Sequence, residues 1–302
     1  MINVFHLGVI FLISMPLYSM GQIQTKALMD LRSLLYSEKE WVKVHAAEFL
    51  IWEKQAVDEV RDVFLKEEKQ SGDLPKYRIG IWRVLAQTAV SEEDRRYWID
   101  KIIAAYQNPE GEDRLHAIET LAKLKVPVVE EIDSNLEGSM RLYSLWNYAM
   151  GSKQRRGEVK ALLVANLING KLSELEMQVS SYIFRYLGPL SNSQFREIYQ
   201  WMQRKDLILS LRSNLLATLW MVFPINGDKV MLNTLKKELL TLQSQPEALN
   251  HVMMGLATCG GLDDSEIIRG LYNAMRDKGR AGYNSDLHAA AAYMVLKVRD
   301  VK

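Results

Sequence analysis

Cysteine is almost missing from this sequence. Cys259 is the only one in 302 residues, which excludes an internal disulfide framework and any zinc site built from several thiolates. Neither sign of charge is in excess: 38 basic and 37 acidic side chains leave a formal net charge of +1. A nucleic-acid binder concentrates Lys and Arg on one face, so this balance points away from that class. Histidine is scarce as well. His6, His45, His116, His251 and His288 offer little material for a nucleophile–base pair, and none sits in a glycine-flanked elbow. Gly260-Gly261 lacks the lysine and the preceding strand of a phosphate loop. No stretch alternates polar and apolar residues convincingly with a period of two, so strands are not expected.

Charge is also missing locally, because residues 1–25 contain no Asp, Glu, Lys or Arg. Within them Val4 to Ile13 is mostly apolar, Pro16 follows, and Ser19-Met20-Gly21 supplies small residues before a cut between Gly21 and Gln22. That is the layout of a secretory signal peptide over 1–21, although no Lys or Arg precedes the apolar run. The run is short for a membrane span, so a retained anchor is the second expectation, and no cysteine follows it to carry a lipid. The mature protein is expected in the periplasm or cell envelope.

What is present is a repeated helix. Trp41-Val42-Lys43-Val44-His45-Ala46-Ala47-Glu48-Phe49-Leu50 is echoed by Asp113-Arg114-Leu115-His116-Ala117-Ile118-Glu119-Thr120-Leu121 and by Ser285-Asp286-Leu287-His288-Ala289-Ala290. With Lys43 marking the register, equivalent positions fall at Arg78, Arg114, Arg141, Met177, Arg212, Asn250 and Asp286. The steps are 35, 36, 27, 36, 35, 38 and 36 residues, a mean of about 35. A fixed period of this size signals stacked supersecondary units. Small or apolar residues recur three, four and seven places after the register position, as at Ala46, Ala47 and Leu50. They form one wide stripe that lets neighbouring helices approach closely. About eight helix pairs are expected, with Ser91 capping the helix that opens Glu92-Glu93-Asp94.

The stretch Val42-Lys43-Val44-His45-Ala46-Ala47-Glu48-Phe49-Leu50 resembles the HEAT-repeat (armadillo-like) family, and the resemblance covers roughly residues 25–299. It implies an all-α, right-handed α-α superhelix, a HEAT-like solenoid. A tetratricopeptide array has a similar period, but its Trp, Gly-Tyr and Pro signature is absent. Tyr77-Arg78-Ile79-Gly80-Ile81-Trp82-Arg83-Val84-Leu85 is also similar to bacterial exported HEAT proteins associated with sugar-importing symporters. Because HEAT arrays serve many roles, the resemblance does not choose a function.

The positions two and five residues after each register position point away from the stack in such an array. They read His45, Gly80, His116, Tyr143, Val179, Asn214, Val252 and His288, and Glu48, Arg83, Glu119, Trp146, Tyr182, Ala217, Gly255 and Ala291. The first five repeats carry charge and aromatic rings; the last three carry small or neutral groups. Tyr, Trp and Arg dominate binding hot spots, so Arg83, His116, Glu119, Tyr143, Trp146 and Tyr182 are the candidate partner-binding residues. Ordinary surface residues with local partners would explain the same pattern. The two His-x-x-Glu pairs, His45 with Glu48 and His116 with Glu119, suggest the HEAT-like hydroxylases, which hold two irons. Lying two repeats apart, they are separated by roughly 20 Å, too far for one metal site. No metal, cofactor or catalytic residue is therefore assigned, and Cys259 reads as a buried helix-end thiol.

The expectation from these observations is a non-enzymatic exported scaffold that binds a protein or peptide, such as a membrane transporter, along its concave repeat face. The alternative is an accessory protein of an uptake system that binds a carbohydrate or other small ligand, with Tyr143, Trp146 and Tyr182 as stacking surfaces. A continuous groove favours the first; a closed site lined by those aromatics favours the second.

Overall fold

The repeated apolar stripe folds into helix after helix. The computed structural model of the protein describes residues 19–298, and all regular structure among them is helical. The helices are α1 (Met20–Ser37), α2 (Glu40–Trp52), α3 (Val57–Ser71), α4 (Tyr77–Gln87), α5 (Glu92–Gln107), α6 (Arg114–Lys123), α7 (Gly138–Ala149) and α8 (Lys153–Ile168). They continue with α9 (Glu174–Leu187), α10 (Asn192–Gln203), α11 (Leu209–Met221), α12 (Lys229–Leu240), α13 (Leu249–Cys259), α14 (Ser265–Arg276) and α15 (Ser285–Lys297). Local chemistry sets several of the starts. Ser91 accepts from the Asp94 backbone N–H at 3.2 Å, and acids fill the first turn of α5, where they complement the helix dipole. Capping boxes of Ser173 with Glu176 and Ser191 with Gln194 open α9 and α10.

Each of α2, α4, α6, α7, α9, α11, α13 and α15 packs on the next, and together they form an inner set. The remaining helices pack on the outside of this set. The predicted stripe is the core: Ala46, Ala47, Leu50, Ala117, Ile118, Leu121 and Ala289 are all fully buried. Gly80 shows why small residues are needed. A Cβ there would stand 3.0 Å from Val44 and 3.1 Å from Trp41, so α4 can lie this close to α2 only without a side chain.

Two features differ from the sequence expectation. The period counts eight helix pairs, but the eight inner helices have seven outer partners among the described residues. The missing one belongs between α6 and α7, where the step from Arg114 to Arg141 is 27 residues instead of about 35. There the chain runs without a helix and is strapped down by the buried Asn147. Its Oδ1 accepts from the backbone of Val128 at 2.8 Å and Val129 at 3.0 Å, and its Nδ2 donates to the Val126 carbonyl at 2.8 Å.

The second difference is larger: the array closes on itself. The last inner helix, α15, packs against both α1 and α2. Asp30 of α1 accepts from Tyr272 at 2.7 Å, from both Arg276 Nε and Nη2 at 3.0 and 3.1 Å, and from His288 Nε2 at 3.0 Å. His45 meets Asp286 at 2.9 Å, Gln24 donates to the Val298 carbonyl at 2.7 Å, and Phe49 stacks on Tyr293 at 4.5 Å. The inner helices therefore form a ring rather than an open curve.

Residues 1–18, most of the expected signal peptide, lie outside the described residues. Ser19 and Gln22 form a capping box that opens α1, so the expected cut after Gly21 falls inside the first turn of that helix. Among the described residues no helix is long and apolar enough to cross a membrane.

Candidate functional site

Closure turns the inner faces of the repeats toward a common axis, and this decides the fate of the six candidate residues. Arg83 is 2% exposed. Its Nε and Nη2 each reach a carboxylate oxygen of Glu48 at 2.8 Å, and its Nη1 donates to Thr120 at 3.3 Å. Gln87 adds a bond to Glu48 at 3.0 Å. Burial alone would raise the Glu48 carboxyl, but the Arg83 charge outweighs it and holds the group below the usual range. Such a desolvated, bidentate pair joins α2 to α4 and keeps the Arg83 guanidinium inside the protein, out of a partner's reach. Its assignment as a free binding residue is corrected.

His116 is half-buried and stacks on Trp41 of α2 at 5.5 Å. Arg83 lies 5.9 Å from the same Trp41 ring. Glu119 bonds Lys123 at 2.9 Å on its own helix, and Lys123 sits 5.4 Å from the Tyr182 ring on α9. The His-x-x-Glu pairs do not form as pairs: His45 is taken by Asp286 and Glu48 by Arg83.

Trp146 is fully buried, with Tyr143, Tyr182 and Tyr186 at 6.3, 5.8 and 4.5 Å. It is a packing centre for three tyrosines, so its expected role as an exposed anchor is corrected too. Tyr143 and Tyr182 are half-buried. Burial and nearby carboxylates push the Tyr143 and Tyr182 phenols upward, and burial with its Tyr182 neighbour does the same for Tyr186. All three stay protonated at neutral pH and can donate hydrogen bonds. The structure does bring the six residues together around the ring, but as a mostly buried tier.

The tier that reaches solvent lies one helical turn further along. Adding four residues to Glu48, Arg83, Glu119 and Tyr182 gives Trp52, Gln87, Lys123 and Tyr186. Trp52 and Tyr186 are 43% and 36% exposed. The Trp52 indole N–H donates to Gln87 at 3.3 Å, and the Tyr186 and Tyr182 hydroxyls bond at 2.9 Å. Trp52 and Gln87, like Glu48 and Arg83, stand side by side although 35 residues apart, so α2 and α4 run parallel. Sequence reasoning stopped at the first tier; the signal it missed was the i, i+4 neighbour on the same face.

Beside Tyr182 and Tyr186 lies Arg185. Its Nε donates to Thr218 at 2.8 Å and its Nη2 to Asn214 at 2.6 Å, both on α11. Ser181 donates to Thr218 at 3.0 Å. His251 of α13 feels the same guanidinium: burial first, and then the Arg185 charge, lower its pKa to about 4.

Among the described residues no three His, Cys, Asp or Glu side chains gather closely enough to hold a metal ion. Burial pushes the Cys259 thiol up to about 12, so it carries no thiolate at neutral pH. No family profile matches the chain, and no curated protein or solved structure does either.

Proposed function

We propose that the protein is a non-enzymatic binding protein that takes a small polar ligand, of the carbohydrate kind, at the axial mouth of its helix ring. The observation that carries this reading is that Trp52 with Gln87, and Tyr186 and Lys123 with Tyr182, stand on inner helices of one closed ring. They combine half-exposed aromatic faces with hydrogen-bond donors, the composition of a small-ligand site. A protein or peptide partner along an open groove has less support, because α15 packs on α2 and the repeat faces look at one another. In our reading the helix pairs remain HEAT-like repeats, wound right-handedly, and the uncharged start of residues 1–21 directs the protein to the periplasm or cell envelope, where it serves uptake.

Calorimetric titration with a panel of neutral mono- and oligosaccharides tests the proposal. Trp52→Ala and Tyr186→Ala are expected to weaken binding about thirtyfold, as for aromatic anchors, while circular dichroism still shows the folded, helical protein. Binding that survives both substitutions, or a panel with no binder, refutes it.

A further inference from the structure

Charge around the ring axis does not balance. Glu48 is matched by Arg83 and Glu119 by Lys123. Arg185 is left over: among the described residues it forms no ion pair, and its two hydrogen bonds go to the neutral oxygens of Thr218 and Asn214. Those two side chains are buried, as is Ser181, which donates to the same oxygens. They fix the direction of the guanidinium and leave its Nη1 hydrogens uncommitted. Around it stand groups that add no negative charge at neutral pH. The Tyr182 ring lies 5.9 Å from the guanidinium carbon, the Tyr186 phenol is held protonated, and His251 is held neutral with its Nδ1 unpartnered. A guanidinium cannot shed its proton, so burial cannot neutralise it as it neutralises His251. A half-enclosed cation aimed by neutral acceptors lacks only an anion.

We propose that Arg185 is the receptor for an oxyanion, a carboxylate or phosphate, on the ligand of the axial mouth; this rests on the reading of that mouth as a ligand site. The oxyanion takes Nη1 and the remaining Nη2 hydrogen. The Tyr182–Tyr186 hydroxyl pair, whose hydrogens are not both used by their mutual bond, offers a further donor. Lys123 is turned toward Glu119 and the Tyr182 ring, which leaves Arg185 as the discriminating charge.

The test titrates the whole chain with glucose, glucuronate and glucose 6-phosphate by calorimetry, and with acetate and inorganic phosphate while His251 is followed by NMR. At least one acid is expected to bind about tenfold or more tightly than glucose, as a charge-assisted hydrogen bond implies. Arg185→Gln should remove that preference without lowering the melting temperature. Anion binding, and Arg185→Gln itself, should each move the His251 titration upward from about 4. If all three sugars bind equally and Arg185→Gln changes nothing while Tyr186→Ala weakens them all, the ligand site stands and the anion inference falls. If acetate or phosphate moves His251 but no sugar binds, the anion receptor stands and the carbohydrate reading falls. If nothing binds and His251 does not move, both fall.

Discussion

Asp30 is where the ring is held shut, and removing its carboxylate should open it. Asp30→Ala deletes four hydrogen bonds that join α1 to α14 and α15. Breaking a buried ion pair costs about 3–5 kcal/mol, and an exposed one about 1 or less. Here the side chains of Asp30 and Arg276 are 15% and 27% exposed, and a hollow of about 600 Å³ lined by Asp30, Ser33, Arg276, Lys278 and His288 brings water to one side. Losing the Tyr272 and His288 bonds adds to the cost. We expect about 3 kcal/mol in all, nearer the buried end, which lowers the melting temperature by about 6 °C in a chain of this size.

The position of the loss is the sharper readout. Hydrogen exchange in Asp30→Ala should rise first in α1, α2, α14 and α15, because repeats communicate through neighbouring interfaces. The pH dependence has a definite sign. Burial would raise the Asp30 carboxyl, but the bonds from His288, Arg276 and Tyr272 outweigh it and hold it well below the carboxylate range. A depressed pKa contributes stability that is present above the unfolded value of about 4 and is lost as pH falls toward the folded one. Wild type and Asp30→Ala should therefore differ fully at pH 7 and progressively less below about pH 4. A loss under about 1 kcal/mol, or exchange raised evenly along the chain, would refute the latch and leave closure to apolar contacts such as Phe49 with Tyr293.

Trp146→Ala should cost about 3–5 kcal/mol, the range for a buried aromatic truncation, read as a fall in melting temperature. Arg83→Ala should cost about 3–5 kcal/mol in chemical denaturation by stranding Glu48, and Arg83→Met with Glu48→Met should recover most of it. Leu121→Ala should cost about 2–5 kcal/mol and His116→Ala clearly less, since Leu121 is fully buried and His116 only half so; equal losses would mean the repeat register is wrong. Expressed in its own host, the mature protein should begin near Gln22 outside the cytoplasm, and terminal sequencing of the envelope fraction checks this.

Much of the helical layout could be read in advance because it is local. The Ala46, Ala47, Leu50 spacing and its copies fix helices and their buried faces without knowledge of the whole. The absence of an outer helix before α7 was present in the numbers as the 27-residue step, although counting helix pairs concealed it. Closure was not legible, because it depends on small angles accumulated over eight inner helices, and no single repeat records the sum. The candidate site suffered from that gap. Arg83, His116, Glu119, Tyr143, Trp146 and Tyr182 do face inward, as their register says. In an open superhelix that face meets water; in a ring it meets other helices, so Trp146 and Arg83 become interior and exposure moves on to Trp52 and Tyr186.

Closure also explains how the inner charges are matched. A charge facing open solvent needs no protein partner, whereas one facing a ring axis is costly without one. Parallel inner helices put equivalent positions side by side, so the natural counter-ion lies one period away in sequence. Arg83 and Glu48 are 35 residues apart, as are Arg78 and Asp113 in the same layer of helices. The same spacing joins Trp52 to Gln87. One period on either side of Arg185 stand Met150 and Trp220, neither of which can answer its charge. Its polar neighbours, Asn214 and Thr218, are acceptors without charge. Arg83 answers Glu48 across the period and Lys123 answers Glu119 within one helix, whereas Arg185, half-buried beside two tyrosines, has no ion pair among the described residues, and this contrast is the ground of the anion proposal.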